Sequence, residues 1–434
     1  MLTGDFMGLA LVLIFFTALS LAVPIAFALG VATIVVFILI NPELLLLMPQ
    51  RIFKGMDLFA LVAIPFFILA GELMGGSGIL DRILNFARMT VGKIRGSVAQ
   101  VTVLVSMIFG WINGSGVAGT SAVGSMLIPR VNKEYKNPGF SCAVTACSST
   151  VGPIIPPSVP MIIYALVAEN VSVGAMFAAG VIPGVMIGAG LMGIVYILAR
   201  KRGYAADYTT YTIVEKVKIT QRFLVGAFLP IIMVGGIIFG IFTPVEAGAV
   251  AVLYAVLVGF FVTKSLSLSM VYGALLRTGV ISSVVFLMMG IANVASWILT
   301  TEQIPQAVAG IITSITTDPL LFLLLINLIL LVVGLFFDTV AAMVMFGPLL
   351  IPIAAQYGID PLQFGMIFTV NLIIGMVTPP VGLCLFIAAG IGKTPIEAVI
   401  KESLPFLAWL LVVLAVVTYL PATYLWVPEL LGYH

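Results

Sequence analysis

Four apolar stretches of this chain are too long to cross a bilayer once, and each is interrupted near its middle. Residues 97–131 carry Asn113-Gly114-Ser115-Gly116 at the centre, and residues 319–356 carry Phe337-Asp338-Thr339. A straight helix of such length would span about 50 Å, against about 30 Å of hydrocarbon. Each reads as a re-entrant helical hairpin that enters, turns at mid-membrane and leaves on the same side. Residues 138–168 and 361–391 are broken by Gly152-Pro153-Ile154-Ile155-Pro156-Pro157 and by Gly375-Met376-Val377-Thr378-Pro379-Pro380. Proline removes a helical donor and clashes with the preceding turn, so two adjacent prolines unwind the helix there.

The two hairpin-and-break units correspond. One gap-free offset of 223 aligns Gly124 with Gly347, Ile128-Pro129 with Ile351-Pro352, Pro138 with Pro361, Gly152 with Gly375 and Pro156-Pro157 with Pro379-Pro380. Four of the five prolines between 129 and 157 match, in a chain with 24 prolines among 434 residues, so coincidence is a poor explanation. Breaks at corresponding places in two halves point to a transporter binding site.

Composition agrees with a membrane protein. The chain is 62% hydrophobic and 8% charged, where soluble domains carry about 25% charge. A soluble enzyme, a disordered chain and a nucleic-acid binder are excluded. Uninterrupted spans are expected near 6–22, 24–40, 57–76, 174–199, 222–242, 244–263, 280–300 and 404–427. The first follows Asp5 with no basic segment before it, so it reads as a span and not a signal peptide. The polar linker from Arg200 to Arg222 divides a first unit, 1–210, from a second, 211–434. The net charge of +2 names no partner, and Cys142, Cys147 and Cys384 lie in apolar stretches that give no disulfide framework.

Each half has about five spans plus one hairpin. Five is odd, so the second half is inverted relative to the first. With the linker in the cytoplasm, 17 of the 19 Lys and Arg residues fall on that side, leaving Arg51 and Lys54 outside. That is the asymmetry of a cytoplasmic face, and it puts both termini outside. The first hairpin then opens inward and the second outward, between Asp318 and Asp360. Amphipathic stretches at 79–95 and 302–318 read either as helices in the interface plane or as ordinary connectors.

In hydrocarbon every backbone polar group needs a partner. Unwinding at Gly152–Pro157 frees carbonyls, which suit a hard cation, and the small polar tip Asn113-Gly114-Ser115 can complete its shell. The corresponding set is Gly334, Asp338, Thr339, Gly375, Thr378 and Pro379. Helix N-termini at such breaks suit an anionic substrate group. Asp338 could bind a cation, accept a proton or cap the following half-helix. For Glu72 and Glu246, interface solvation or capping is favoured over ion binding. Glu169 reads as a loop residue, and Arg130 reaches the cytoplasm. Of the hydroxyls near the first break, Ser115, Thr120, Ser121, Ser148, Ser149 and Thr150, packing explains most. The single histidine is His434, and no His-Glu-x-x-His or Cys-x-x-Cys motif is present. Gly392-Lys393-Thr394 ends like a phosphate loop, but Ile387 replaces the required glycine. Catalysis and ATP hydrolysis are therefore not expected, and no organic cofactor is implied.

Asn113-Gly114-Ser115-Gly116-x-x-Gly119-Thr120, Gly152-Pro153-Ile154-Ile155-Pro156-Pro157-Ser158 and Gly375-x-x-Thr378-Pro379-Pro380-x-Gly382 resemble the large membrane subunit of the tripartite ATP-independent periplasmic (TRAP) transporters. The resemblance covers essentially the whole chain. It implies a secondary transporter of the bacterial inner membrane, driven by Na+ and importing organic acids such as C4-dicarboxylates or sialic acid. It also implies two partners, a periplasmic substrate-binding protein and a small four-helix membrane subunit. By resemblance, a first Na+ site would involve Asn113, Gly114, Ser115 and the carbonyls of Gly152, Ile155 and Pro157. A second would involve Gly334, Gly375, Thr378 and Pro379. Gly116, Thr120, Ser158, Asp338 and Thr339 would line the substrate path. The implied mechanism is an elevator, in which both hairpins and both broken helices slide against a scaffold of the remaining spans. No four-helix segment precedes Met1, so the small subunit is expected as a separate chain. The rival readings are a stand-alone ion-coupled carboxylate carrier or cation antiporter, a passive channel and an intramembrane enzyme.

Overall fold

The computed structural model describes every residue except Met1, Leu2, Ala22, Asn41 and His434. The end expected for the first span, at Ala22, and the single histidine therefore lie outside the described residues. The chain is all-helical. The first half runs α1 (Thr3–Ser20), α2 (Ile25–Ile40), α3 (Met48–Met56), α4 (Ala63–Gly76) and α5 (Ile79–Val91). It continues with α6 (Ser97–Asn113), α7 (Gly116–Tyr135), α8 (Pro138–Ser149), α9 (Val159–Ala168) and α10 (Val173–Arg202). The second half runs α11 (Ile213–Ile238), α12 (Pro244–Leu257), α13 (Leu268–Thr301), α14 (Ile304–Ile315) and α15 (Pro319–Phe336). It closes with α16 (Thr339–Gln356), α17 (Pro361–Gly375), α18 (Leu383–Gly392), α19 (Ile396–Tyr419) and α20 (Ala422–Leu430). Eight helices among the described residues are long and apolar enough to cross a membrane.

The chain turns and unwinds at its glycines and prolines. Gly114, with φ of +67°, ends α6, and the Ser115 side chain accepts from the Ala118 amide to start α7. Asp338 starts α16 in the same way by accepting from the Val340 amide. Between α8 and α9, and between α17 and α18, the backbone is non-helical through both proline pairs. Pro156-Pro157 and Pro379-Pro380 are both cis.

Each hairpin crosses its broken helix at glycine. A Cβ on Gly152 would sit 2.6 Å from the Gly110 Cα, and one on Gly375 would sit 2.5 Å from the Gly334 Cα. No side chain fits at such distances, so α6 meets the end of α8, and α15 the end of α17, backbone to backbone. Buried amides tie the second crossing further: Asn371 donates to the Asn327 Oδ1 at 2.6 Å, and Asn327 donates to the Thr418 hydroxyl at 3.1 Å. The helices α10 and α19 pack on these broken helices too. Gly180 and Gly184 of α10 face Met161, Ile154 and Ile155, and Gly139 of α8 faces the Ala398 carbonyl. Arg202 and Glu402 pair at 2.8 Å across the ends of α10 and α19.

Several expectations need correction. The span expected at 280–300 begins at Leu268, behind a Ser267 cap. Arg277, read as lying beyond the helix, is inside it. The span expected at 404–427 covers Ile396–Tyr419, and a separate helix begins after Pro421. The linker is non-helical only to Thr212, where a capping box with Glu215 starts α11. Residues 48–56, read as an outside loop, form α3, whose Arg51 guanidinium lies 5.1 Å from the Trp297 ring centre. The amphipathic helix α5 buries Ile79, Ile83 and Leu84 in the protein.

The glycine crossing gives a direct test. Gly152→Ala should destabilise the purified chain by about 1–3 kcal/mol, as overpacking does. Gly193→Ala, in α10 with nothing within 4 Å of the new methyl, should be neutral or stabilising by up to about 1 kcal/mol. Thermal unfolding in detergent ranks the two, and equal melting temperatures would contradict the packing described.

Candidate functional site: a cavity between two hairpin tips

Helix starts are short of internal donors' partners: their first amides point outward and carry the positive end of the helix dipole. Three such starts meet at one cavity of about 190 Å³. The first tip contributes Asn113, Gly114, Ser115 and Gly116, at the start of α7. The second contributes Asp338, Thr339 and Val340, at the start of α16. The first break adds Pro153 and the start of α9 at Val159 and Pro160, and the second adds Met376. The opposite wall is Ile68 and Glu72 of α4 with Ile281 and Val285 of α13. Ile68 lies midway along the apolar segment Phe59–Gly76, so the cavity sits at mid-span.

The tips are held by short-range contacts. Gly116 sits between the two breaks, where a Cβ would be 3.6 Å from both the Met376 Cε and the Ser149 carbonyl. The Thr339 hydroxyl reaches the Met376 sulfur at 3.4 Å. Gly114 lies against the Pro157 carbonyl, 3.0 Å from where its Cβ would be. The carbonyls of Gly152, Ile155 and Pro157 accept no hydrogen bond from the described residues. At the second break, those of Thr378 and Pro379 are likewise free, whereas the Gly375 carbonyl accepts from the Thr378 amide at 3.1 Å. The cavity thus offers two carboxyl groups, on Glu72 and Asp338, an Asn113 amide with no hydrogen-bond partner among the described residues, and outward-pointing amides. Bare carbonyl oxygens lie behind each tip. Among the described residues no cluster of His, Cys, Asp or Glu could hold a metal.

Of the residues singled out in the sequence, Asn113, Gly114, Ser115, Gly116, Asp338 and Thr339 line the cavity together. Gly152, Ile155, Pro157, Gly334, Gly375, Thr378 and Pro379 stand behind it, at the crossings and in the unwound segments. Thr120 and Ser158 are buried and satisfied locally: Thr120 donates to the Gly116 carbonyl at 2.8 Å, and Ser158 to the Pro153 carbonyl at 2.6 Å. Glu246 caps α12 through Thr243, as its position after Pro244 suggests. Glu72 is different. It lines the cavity and pairs with Arg277 at 2.7 Å. No local spacing could reveal a pair 205 residues apart.

The chain matches the family model described as "Tripartite ATP-independent periplasmic transporter, DctM component" over residues 12–423. It is 38% identical over 411 residues to the sialic acid TRAP transporter large permease protein SiaM of Vibrio cholerae, across 94% of this chain and 96% of that protein. It is also 38% identical over 405 residues to the C4-dicarboxylate TRAP transporter large permease protein DctM of Pseudomonas aeruginosa, across 93% and 94% of the two. Among solved structures, the Alcanivorax borkumensis YdaH transporter superposes with a TM-score of 0.63 over 89% of each chain at 15% identity, a likeness of fold alone. The chain belongs to the tripartite ATP-independent periplasmic transporters, a family of membrane permeases and not of enzymes, as the large permease (DctM) component.

Proposed function

We propose that this subunit imports an organic acid across the bacterial inner membrane, driven by Na+. A periplasmic binding protein delivers the acid, and a small membrane subunit braces the scaffold. The observation that carries the reading is the meeting of both tips, with material from both breaks, at one mid-span cavity. If α15 and α16 crossed the bilayer as two spans, the turn at 336–339 would lie at a membrane surface, far from Ile68. Two re-entrant hairpins in inverted halves bring both turns to the same depth.

Carboxylate recognition follows from the three helix starts, which favour a negative group. Na+ is a hard cation served by oxygen. The free carbonyls of Gly152, Ile155 and Pro157 behind Gly114 suit one ion, and those of Thr378 and Pro379 near Gly334 suit another. An ion in either place fixes a tip, and the tip fixes the amides that meet the acid. Each ligand then raises the affinity for the other, which is coupling in the thermodynamic sense. The relatives' sialic acid and C4-dicarboxylate names support a carboxylate substrate.

The packing suggests which parts move. The tips, the broken helices, α10 and α19 form one packed body, and α1–α4 with α11–α13 form the other. This enlarges the moving body beyond the hairpins and broken helices alone. The cavity lies on the seam between the two bodies, so sliding one past the other carries the acid across. The lysine and arginine asymmetry supports periplasmic termini.

Proteoliposomes holding this chain with both partners test the reading. An inward Na+ gradient should drive accumulation of the acid, and a K+ gradient should not. Asn113→Ala should raise the half-saturating Na+ concentration severalfold. Asp338→Asn keeps a good capping side chain, so the fold should stand while uptake falls at least about tenfold. Uptake that ignores Na+, or needs no binding protein, would favour a stand-alone carrier.

A further inference from the structure

The tip cavity has a neighbour. A second space of about 600 Å³ opens where α4 ends and α13 begins, beside α5, and it shares Glu72, Asn113 and Ala118 with the first. Those three residues form the neck between the two. The charges around the tip cavity are Glu72 and Asp338, both acidic. The charges around the outer space are Glu72 and Arg277. An organic anion leaving the tips by this route passes Glu72, and the first cation it meets is Arg277.

Arg277 is built to receive it. Its Nε is held by the Glu72 carboxylate at 2.7 Å, while its two terminal nitrogens make no hydrogen bond among the described residues. Its side chain is 59% exposed. Gly273, one turn away, keeps a face of the guanidinium clear: a Cβ there would stand 3.3 Å from Nη1. A guanidinium with a free fork binds carboxylate through two parallel hydrogen bonds. Both helices of the pair, α4 and α13, belong to the body that stays still in the proposed mechanism.

We propose that Arg277 forms a transient exit site for the substrate's carboxylate, on the scaffold and on the cytoplasmic side of the neck. Glu72 tunes that site in two ways. It orients the guanidinium, and it competes with the departing acid, so that the acid is held briefly and released. The inference rests on the transport reading above and adds a second station to the path. Arg277 is here a substrate-contacting residue and Glu72 a positioning residue.

The test uses proteoliposomes of the chain with both partners, with succinate and N-acetylneuraminate as the labelled probes. Exchange is measured from each side separately. Arg277→Gln should raise the KM for acid on the cytoplasmic side about tenfold and leave the periplasmic KM within twofold. Arg277→Lys should recover part of the loss. Glu72→Gln should lower the cytoplasmic KM severalfold and slow turnover, because the acid then lingers. The exchanged pair, E72R with R277E, restores the contact between α4 and α13. It should recover the melting temperature but not the cytoplasmic KM. Full recovery of KM by that exchange would mean the pair only joins two helices, and would overturn the proposal. So would an equal rise of both KM values in Arg277→Gln. A wild-type complex that moves no acid in a Na+ gradient overturns the transport reading itself, which separates the two failures.

Discussion

A peptide group inside a bilayer must find a partner, because hydrocarbon offers none. Everything distinctive about this protein follows from how it meets that demand at two places where the helix is deliberately broken. Irregular backbone is tolerated at such depth when it is packed in protein or lines a cavity, and here it does both. The first unwound segment packs on α10 through Ile154 and Ile155, and α19 packs on the flanking helices α8, α17 and α18. The glycine crossings of Gly110 with Gly152 and Gly334 with Gly375 let backbone approach backbone without an intervening side chain. What is left over is a set of carbonyl oxygens with no donor among the described residues, and helix starts that meet at one cavity.

The two halves answer the same problem with different side chains. At the first tip Ser115 caps the returning helix, and at the second Asp338 does, 223 residues later. One tip presents a hydroxyl and the other a carboxyl group. The cavity they share is therefore lined by different polar groups at its two tips. Glu72 adds a second carboxylate from the opposite wall, and its pairing with Arg277 offsets that charge on the outer side only. A chamber of helix starts, which favour anions, and carboxyl side chains, which favour cations, suits the proposed symport.

The breaks were legible in the sequence because glycine and proline act locally: each changes what its own backbone can do, whatever surrounds it. The first tip, at Asn113–Gly116, was legible for the same reason, and the second, at Asp338–Thr339, because a carboxyl group interrupts an apolar stretch too long to cross once. Features that depend on distant partners were not. Arg277 lies outside the span expected at 280–300, and its pairing with Glu72, 205 residues away, leaves no local signal. The apolar face of α5 left its partner open, because periodicity shows that a face is buried but not against what. The Asn327–Asn371–Thr418 chain joins three helices through amides that are individually unremarkable. Helix α3 escaped notice because it is short and polar, and its apolar side is completed by the surface of α13.

Binding of radioactive sodium to the purified chain tests the central claim most directly. The account predicts saturable binding that excess potassium does not displace, that strengthens when the transported acid is added, and that weakens in Asn113→Ala. Sodium binding that is absent, or that is indifferent to both the acid and the tip, would contradict it.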